Sequence, residues 1–263
     1  MIKNKSFLNS EKPVITVMAQ ADNPDRISEL VSLALHEGAE AFGMQFCQLS
    51  PLFREKSIYE KLFAMTEGRP VYATNYRYAQ NEGKSDEVLA RELIELAECG
   101  ATLCDVMGDY FDATRGELTM KDEAVKQQMQ LIDDLHSRGA EVLISTHVFK
   151  YTHVEKELQF IPAERVLEIA LEHQRRGADI SKIVIGADNM AEQIEGLRIL
   201  NLLKENLKIP FLFLLGGECY ISRRISGALG NCMTLCVYEH DDFSTKSQPT
   251  LKEVKALRGI FEV

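Results

Sequence analysis

The chain has 263 residues, of which 45% are hydrophobic, and a formal net charge of −10 at pH 7. No apolar run approaches the roughly 20 residues that a membrane-spanning helix needs, so we expect no such helix. The negative charge and the lack of a dense basic cluster argue against a nucleic-acid-binding surface or a surface for anionic membranes. We therefore expect a small-molecule partner.

The N-terminal stretch M-I-K-N-K-S-F-L-N-S lacks the apolar segment of a secretion signal, so none is expected. Six cysteines lie mostly in apolar or helical contexts without the paired spacing of a metal site: Cys47, Cys99, Cys104, Cys219, Cys232 and Cys236. That pattern is typical of buried, reduced thiols. The sequence thus predicts a cytoplasmic protein with no metal site.

From Pro13 onward, short apolar runs alternate eight times with longer amphipathic stretches. Most of the runs are apolar on both faces, as strands of a parallel sheet covered on both sides must be. We predict strands at 14–19, 41–46, 71–75, 102–106, 141–146, 181–185, 211–215 and 231–237.

The stretches between these strands carry apolar residues at spacings of three and four, which predicts helices with those residues in the core. The stripes include Ile27, Leu30, Val31 and Ala34; Val88, Leu89, Leu93, Leu96 and Ala97; Met129, Ile132 and Leu135; and Ile194, Leu197, Leu200 and Leu203. Gly-Ala pairs that precede four of the strands are typical of left-handed residues closing a helix.

Eight strand-then-helix units without a composition break favour a single (β/α)8 barrel domain over residues 1–263, since such barrels run to about 250 residues. The alternative is a doubly wound sheet. That fold usually has a glycine-rich phosphate loop after the first strand, whereas this loop reads A-Q-A-D-N-P. In a barrel, active residues lie at the C-terminal ends of the strands and in the loops that follow.

Lys182 stands near the start of the sixth apolar run, A-D-I-S-K-I-V-I-G. Burying an ammonium is costly, so the pKa of a lysine held there should fall. A neutral amine in a dry pocket can attack a ketone and form an imine. The alternative is a strand-end lysine whose ammonium reaches water.

His147 follows the fifth strand, one unit before the lysine. Adjacent strands lie about 5 Å apart, so long side chains at their ends can meet. An imidazole can take and return a proton at neutral pH, although a histidine here can also be a structural hydrogen-bonding group.

Two further polar segments follow strands seven and eight. Arg223 and Arg224 come after strand seven, where one of them can hold a carboxylate, or both can face solvent. Ser244 and Gln248 lie in the polar loop after strand eight, where they can close over a ligand or simply be solvated.

Together these residues resemble the type I 3-dehydroquinate dehydratases. The shared features are Ser-x-His ending strand five, Asp-Ile-x-Lys-Ile opening strand six, Ile-Ser-Arg after strand seven and Ser-x-x-x-Gln after strand eight. The resemblance covers the chain from Val14 to the last helix. It implies a homodimeric lyase of the shikimate pathway that dehydrates 3-dehydroquinate to 3-dehydroshikimate, without metal or organic cofactor.

The resemblance also implies roles. Lys182 forms the imine with the substrate ketone. His147 removes a proton from the adjacent carbon, assists imine formation and hydrolysis, and protonates the departing hydroxyl. Arg223 holds the substrate carboxylate, while Ser244 and Gln248 lie on a loop that closes over the substrate.

The chain departs from the family pattern at strand two. Family members generally end that strand with Glu-x-Arg-x-Asp, where the glutamate and arginine contact ring hydroxyls of the substrate. Here Gly43, Gln45 and Cys47 stand at those places. Gln45 can still hydrogen-bond a hydroxylated substrate.

A second departure follows strand three. Arg77 matches a family arginine that precedes, by four residues, a glutamate supporting the catalytic histidine. Asn81 occupies the place of that glutamate and Glu82 comes one residue later, so either is a candidate support for His147.

Lost recognition groups change the preferred substrate more readily than the reaction type. Three functions therefore stay open: a type I 3-dehydroquinate dehydratase with an altered site, a Schiff-base lyase or dehydratase for another small hydroxy-keto acid, and a barrel that binds a small acid without turnover. The first is our prediction.

Overall fold

The computed structural model describes residues 5–151, 156–219 and 221–261, so the predicted domain 1–263 extends beyond them at both ends. Eight parallel strands form a nearly closed barrel with helices between them, which confirms the predicted (β/α)8 fold. The barrel strands are β1 (Val14–Ala19), β2 (Ala41–Gln45), β3 (Val71–Thr74), β4 (Leu103–Met107), β5 (Glu141–His147), β8 (Ile180–Gly186), β9 (Phe211–Gly216) and β10 (Met233–Cys236). Two short strands outside the barrel are β6 (Phe149–Tyr151) and β7 (Lys156–Leu158).

The helices cover the outside of the barrel and begin after successive barrel strands. They are α1 (Pro24–His36), α2 (Lys56–Ala64), α3 (Asp86–Cys99), α4 (Asp122–Ser137), α5 (Ala163–Arg175), α6 (Met190–Asn206), α7 (Ile221–Ile225) and α8 (Leu251–Phe261). None of the helices in the described ranges has the length and apolar character needed to cross a bilayer.

The sheet runs in the order β10-β1-β2-β3-β4-β5-β8-β9, with β6 and β7 paired separately as an antiparallel hairpin. The seam between β9 and β10 is bridged by a backbone hydrogen bond from Cys232 to the Phe211 carbonyl at 2.9 Å. The Asn231 amide also both donates to and accepts from the backbone of Phe213, at 2.9 Å each way. Neighbouring strands therefore follow chain order around the ring, unlike those of a doubly wound sheet.

The register of the barrel places Lys182 in its interior. Ile180 and Val184, two residues before and after the lysine, belong to the apolar cluster inside the strands. Since side chains alternate along a strand, Lys182 points inward with them. Ser145 of β5 is its direct neighbour, and His147 lies two residues nearer the C-terminal end.

The outer face of the barrel corrects part of the predicted core. Ile194 and Leu197 of α6 are 60% and 38% exposed, and Met129 of α4 is 37% exposed. The buried face of α6 instead includes Gly196 and the residues Ile199, Leu200 and Leu203. A Cβ at Gly196 would lie 2.5 Å from the Leu215 side chain, so close approach at this glycine turns the helix away from the predicted face.

The β6–β7 hairpin was not predicted from the sequence. It follows β5 directly, and Gln159 donates a backbone hydrogen bond to the Val148 carbonyl at 2.8 Å. Phe149 of the hairpin stacks on the His147 ring at 6.0 Å between centroids. The hairpin thus adds a wall beside the end of β5.

His173 of α5 hydrogen-bonds that helix to two barrel strands. From its burial we predict that acid destabilises the fold. Its ring nitrogens lie 2.9 Å from the hydroxyls of Thr146 and Ser181, and burial lowers its pKa from 6.5 to about 3. Below pH 6.5 the unfolded chain binds a proton that the folded chain cannot, so stability falls as the pH falls. Between neutrality and pH 5 we expect the free energy of unfolding to drop by about 2 kcal/mol from this group.

Urea unfolding at both pH values measures that drop. His173→Gln should remove it, whereas His36→Gln, at an exposed position of α1, should keep it. An undiminished drop in His173→Gln would contradict the assignment.

Candidate active site

A cluster of buried polar groups surrounds the amine of Lys182. The lysine is 5% exposed, and its Nζ donates to the hydroxyls of Tyr72 at 3.0 Å and Tyr76 at 2.6 Å, and to Asp105 Oδ2 at 3.3 Å. Both tyrosines donate to the same carboxylate oxygen, and Ser145 donates to the other at 2.5 Å. All three protons of an ammonium thus have acceptors.

Burial sets the protonation properties of this cluster. It lowers the pKa of the Lys182 amine below its ordinary value of 10.5, and the Asp105 carboxylate opposes part of that shift. Burial, followed by the charge of Asp105, raises the pKa values of Tyr72 and Tyr76 well above 10. The cluster therefore holds neutral phenols around an amine that loses its proton more easily than an exposed lysine does.

His147 is held by Glu117. Its Nδ1 lies 2.8 Å from Glu117 Oε2, which also accepts the His147 backbone N–H at 3.0 Å. A carboxylate can only accept, so Nδ1 carries the proton and Nε2 keeps the lone pair of a base. The carboxylate also stabilises the imidazolium that forms when Nε2 takes a proton.

The loop between β4 and α4 carries Glu117 to this position. Thr146 donates to the Glu117 carbonyl at 3.0 Å, and a Cβ at Gly108 would lie 2.5 Å from that carbonyl oxygen. Only glycine lets the loop cross the end of β5 this closely. Glu117 itself adopts a left-handed backbone with φ 48°, a conformation that is sparsely populated for residues other than glycine and clusters at functional sites.

The structure corrects both sequence candidates for the support of His147. The Asn81 amide donates to Asn75 at 2.7 Å and to the Tyr76 carbonyl at 2.9 Å, so it braces its own loop. Glu82 is exposed. The support comes instead from Glu117 in the loop after β4, because that loop folds over the end of β5.

Replacing Glu117 by glutamine should keep a hydrogen bond to His147 but remove the charge that stabilises its imidazolium. We expect the maximal rate of turnover to fall by about 10- to 100-fold. This is less than the loss of a whole general base, because His147 itself remains. The matched control is Glu82→Gln, which should retain the rate. Steady-state kinetics of both variants shows which glutamate supports His147. A larger loss of rate in Glu82→Gln would contradict the assignment of Glu117.

A cavity of about 460 Å³ opens at this end of the barrel. Its wall includes Gln45, Tyr76, Arg77, Glu117, His147 and Thr245. Tyr76 joins the cavity to the lysine: its ring lies edge-on to His147 at 5.5 Å, and Lys182 Nζ lies 5.2 Å from the same ring. The structure thus brings Lys182 and His147 into contact with one tyrosine. Among the described residues, the cavity wall does not include Lys182 itself.

Two predicted binding residues, Gln45 and Arg77, lie in the cavity wall. Gln45 accepts a hydrogen bond from the Tyr78 hydroxyl at 2.9 Å. Arg77 forms ion pairs with Asp86 at 2.6 Å and with the buried Asp109 at 2.7 Å. These carboxylates already balance its charge, so Arg77 anchors the β4–α4 loop, and contact with substrate stays a prediction.

The three other predicted binding residues lie outside the described cavity wall. Arg223 is 8% exposed and donates to the Leu215 carbonyl at 2.7 Å; burial lowers its pKa to about 10, so it stays charged at neutral pH. Ser244 bonds to Asp241, and Gln248 accepts from Thr245 at 3.3 Å, so both hold turns of their own loop. Their contact with substrate also stays a prediction.

The departure at strand two has a packing explanation. A Cβ at Gly43 would overlap the Met18 sulfur and lie 3.4 Å from the Tyr72 ring. The Met18 thioether therefore lies where the side chain of a glutamate would begin, with the Tyr72 ring at ordinary contact distance. Cys47 is fully buried.

Asp105, Tyr72, Tyr76 and Glu117 were not assigned to the site from the sequence. Asp105 offered a signal, since an aspartate inside the apolar run L-C-D-V is as unusual as the lysine in its own run. Glu117 lies in a polar loop after a strand, the usual place for active residues in a barrel. Tyr72 had no comparable signal, because Tyr is common in strands. Tyr76 lies two residues past the end of β3, which is also a usual place for active residues in a barrel.

A family model described as type I 3-dehydroquinase matches residues 57–262. Comparison with curated protein sequences gave no match. Solved structures with the same fold include 3-dehydroquinate dehydratase from Geobacillus kaustophilus HTA426, with TM-score 0.78, 14% identity, and coverage of 97% of this chain and 93% of that one.

Two further structures are similar. Type I 3-dehydroquinate dehydratase from Clostridium difficile with covalently modified comenic acid gives TM-score 0.77 and 17% identity, covering 100% of this chain and 97% of that one. 3-Dehydroquinate dehydratase from Enterococcus faecalis gives TM-score 0.71 and 16% identity, covering 97% of this chain and 95% of that one. At these identities the structures establish the fold, while the family model, which matches well over half of the residues, establishes the family. The chain belongs to the type I 3-dehydroquinase family, and is thus a hydro-lyase.

Proposed function

We propose that this chain dehydrates 3-dehydroquinate to 3-dehydroshikimate through an imine on Lys182. The family match assigns the reaction, a step of the shikimate pathway of aromatic amino-acid biosynthesis. The observation that carries the imine route is the buried amine of Lys182, whose pKa is lowered and which contacts the same tyrosine, Tyr76, as the His147 ring held by Glu117. An imine draws electrons from the adjacent carbon, so an ordinary imidazole can deprotonate it.

The chain's residues then divide the reaction. His147 Nε2 takes the proton from the carbon beside the imine and returns it to the departing hydroxyl, while Glu117 stabilises the intervening imidazolium. Arg223 supplies a charged guanidinium for the substrate carboxylate. Gln45 offers a hydrogen bond to a substrate hydroxyl, and Arg77 is a further candidate for contact with the substrate at the cavity wall.

Closure of the loop that carries Ser244 and Gln248 completes the site in this proposal. Thr245, between them, already reaches the cavity. Closed loops exclude water and strengthen each charge interaction inside.

A second candidate is the same imine chemistry on another small hydroxy-keto acid. It is favoured by the packing at Gly43, where the Met18 thioether lies in the place of the side chain of a hydroxyl-binding glutamate. A site that lacks this hydroxyl partner selects less strongly for a substrate that has the hydroxyl.

Borohydride trapping tests both candidates. With 3-dehydroquinate and reductant, we expect the mass of a reduced adduct on the peptide that contains Lys182, and 3-dehydroshikimate as the product without reductant. An adduct with another hydroxy-keto acid only would favour the second candidate. No adduct with either would leave a barrel that binds small acids without turnover.

We further propose a homodimeric, cytoplasmic protein that forms one domain over its 263 residues. The six cysteines support the location, since each is a free thiol and disulfides are rare in the cytosol.

Exposed apolar side chains on one side of α6 support the dimer: Met190, Ile194 and Leu197. Sedimentation velocity measures the state, and a monomer at micromolar concentration would contradict it.

A further inference from the structure

The hydroxyl of Tyr76 occupies a position that the reaction scheme above leaves without a task. It accepts a hydrogen bond from Lys182 Nζ at 2.6 Å and donates one to Asp105 Oδ2 at 2.5 Å. Tyr76 is only 8% exposed but lines the cavity, whereas the described cavity wall does not include Lys182, Asp105 or Tyr72. It is thus the cluster member through which the buried amine and carboxylate meet the cavity.

Imine formation needs protons moved at this place. An amine that attacks a ketone gains positive charge while the ketone oxygen gains negative charge, and the oxygen must later leave as water. His147 has its Nδ1 committed to Glu117, and the hydrogen-bond partners of Lys182 Nζ among the described residues are Tyr72, Tyr76 and Asp105. A hydroxyl that touches the amine directly is better placed for these transfers, because proton transfer requires hydrogen-bond distance.

We propose that Tyr76 is a catalytic residue that relays protons during imine formation, with Asp105 as the proton store. This rests on the imine at Lys182 proposed above. First, the Lys182 ammonium gives one proton to Asp105. The amine lone pair then forms the N–C bond, and the π electron pair of the ketone moves to oxygen. The nitrogen passes a proton to Tyr76 Oη as Tyr76 passes its own to that oxygen, which gives a neutral carbinolamine.

Loss of water uses the same path in the second half. The C–O bond breaks with its electron pair on oxygen, and the nitrogen lone pair forms the C=N bond. The hydroxyl takes the Tyr76 proton, and Tyr76 takes the stored proton from Asp105. Water leaves, the iminium carries the charge that the ammonium had, and the carboxylate and phenol are restored. The raised pKa of the buried Tyr76 phenol fits a relay that never persists as a phenolate.

Tyr72 provides a matched control. Its hydroxyl also contacts Lys182 and Asp105, but Tyr72 is fully buried in the barrel interior. Loss of either hydroxyl removes an acceptor that favours the ammonium, so in both variants the pH midpoint of imine formation should move down. Only Tyr76→Phe removes the relay. The plateau rate below that midpoint, where the Lys182–Asp105 pair still holds the proton that the relay uses, separates the two effects.

The experiment is rapid mixing with 3-dehydroquinate, followed by a borohydride quench and mass analysis of the Lys182 peptide across pH. We expect Tyr76→Phe to lower the plateau rate by about 100-fold, the scale of a lost general acid–base group. Tyr72→Phe should lower it far less, although its midpoint moves. Far-UV circular dichroism checks both folds.

If Tyr76→Phe does not fold, a measurement on the unmodified enzyme still tests the relay. A relay that moves two protons together predicts a curved dependence of the plateau rate on the deuterium fraction of the solvent. Equal plateaus in the two variants, or a linear dependence, would overturn the relay and leave the imine intact. Absence of any adduct on the unmodified enzyme would remove the imine route, and the relay with it.

Discussion

Lys182→Met should abolish imine formation and lower turnover of 3-dehydroquinate by about 10⁴-fold or more, as removal of a covalent nucleophile does. Methionine fills a similar volume but has no amine. The fold should survive, because Asp105 keeps hydrogen bonds from Tyr72, Tyr76 and Ser145. The buried carboxylate is therefore not left without donors.

Two measurements check this result. Borohydride trapping should give no adduct in Lys182→Met, while thermal unfolding should report a cooperative transition. The control is Lys126→Met, at an exposed position of α4, which should keep both turnover and the adduct. Full turnover in Lys182→Met would end the imine mechanism.

His147→Ala should produce the second largest effect, a loss of about 10²- to 10⁴-fold in maximal rate. The variant lacks the base for the carbon acid, but Lys182, Tyr76 and Asp105 remain in place to form the imine. The imine should therefore accumulate, and borohydride should trap at least as much adduct as in the unmodified enzyme.

Single-turnover kinetics with and without reductant separates binding from proton transfer. His136→Ala, at a half-exposed site on α4 beside Asp179, is the control and should keep the rate. An unchanged maximal rate with a raised Michaelis constant would make His147 a binding residue instead.

The eight barrel strands were predictable because each is a short run that is apolar on both faces, which a covered parallel sheet requires. Other features depend on contacts between distant segments. The rotation of α6 follows from close approach at Gly196, and the hairpin at Phe149 follows a strand with no turn signal between them. Neither contact leaves a periodic pattern in the sequence.

The sequence by itself determined the barrel, the buried lysine and a histidine at the end of the neighbouring strand, since alternation and strand order fix which side chains point to the mouth of the ring. Only the tertiary structure decided what surrounds them. Glu117 reaches His147 because an irregular loop with a left-handed residue crosses the end of β5. Tyr72 of β3, Tyr76 from the loop after β3 and Asp105 of β4 converge on Lys182. Such convergence depends on side-chain positions across the ring, which no local spacing in the chain encodes.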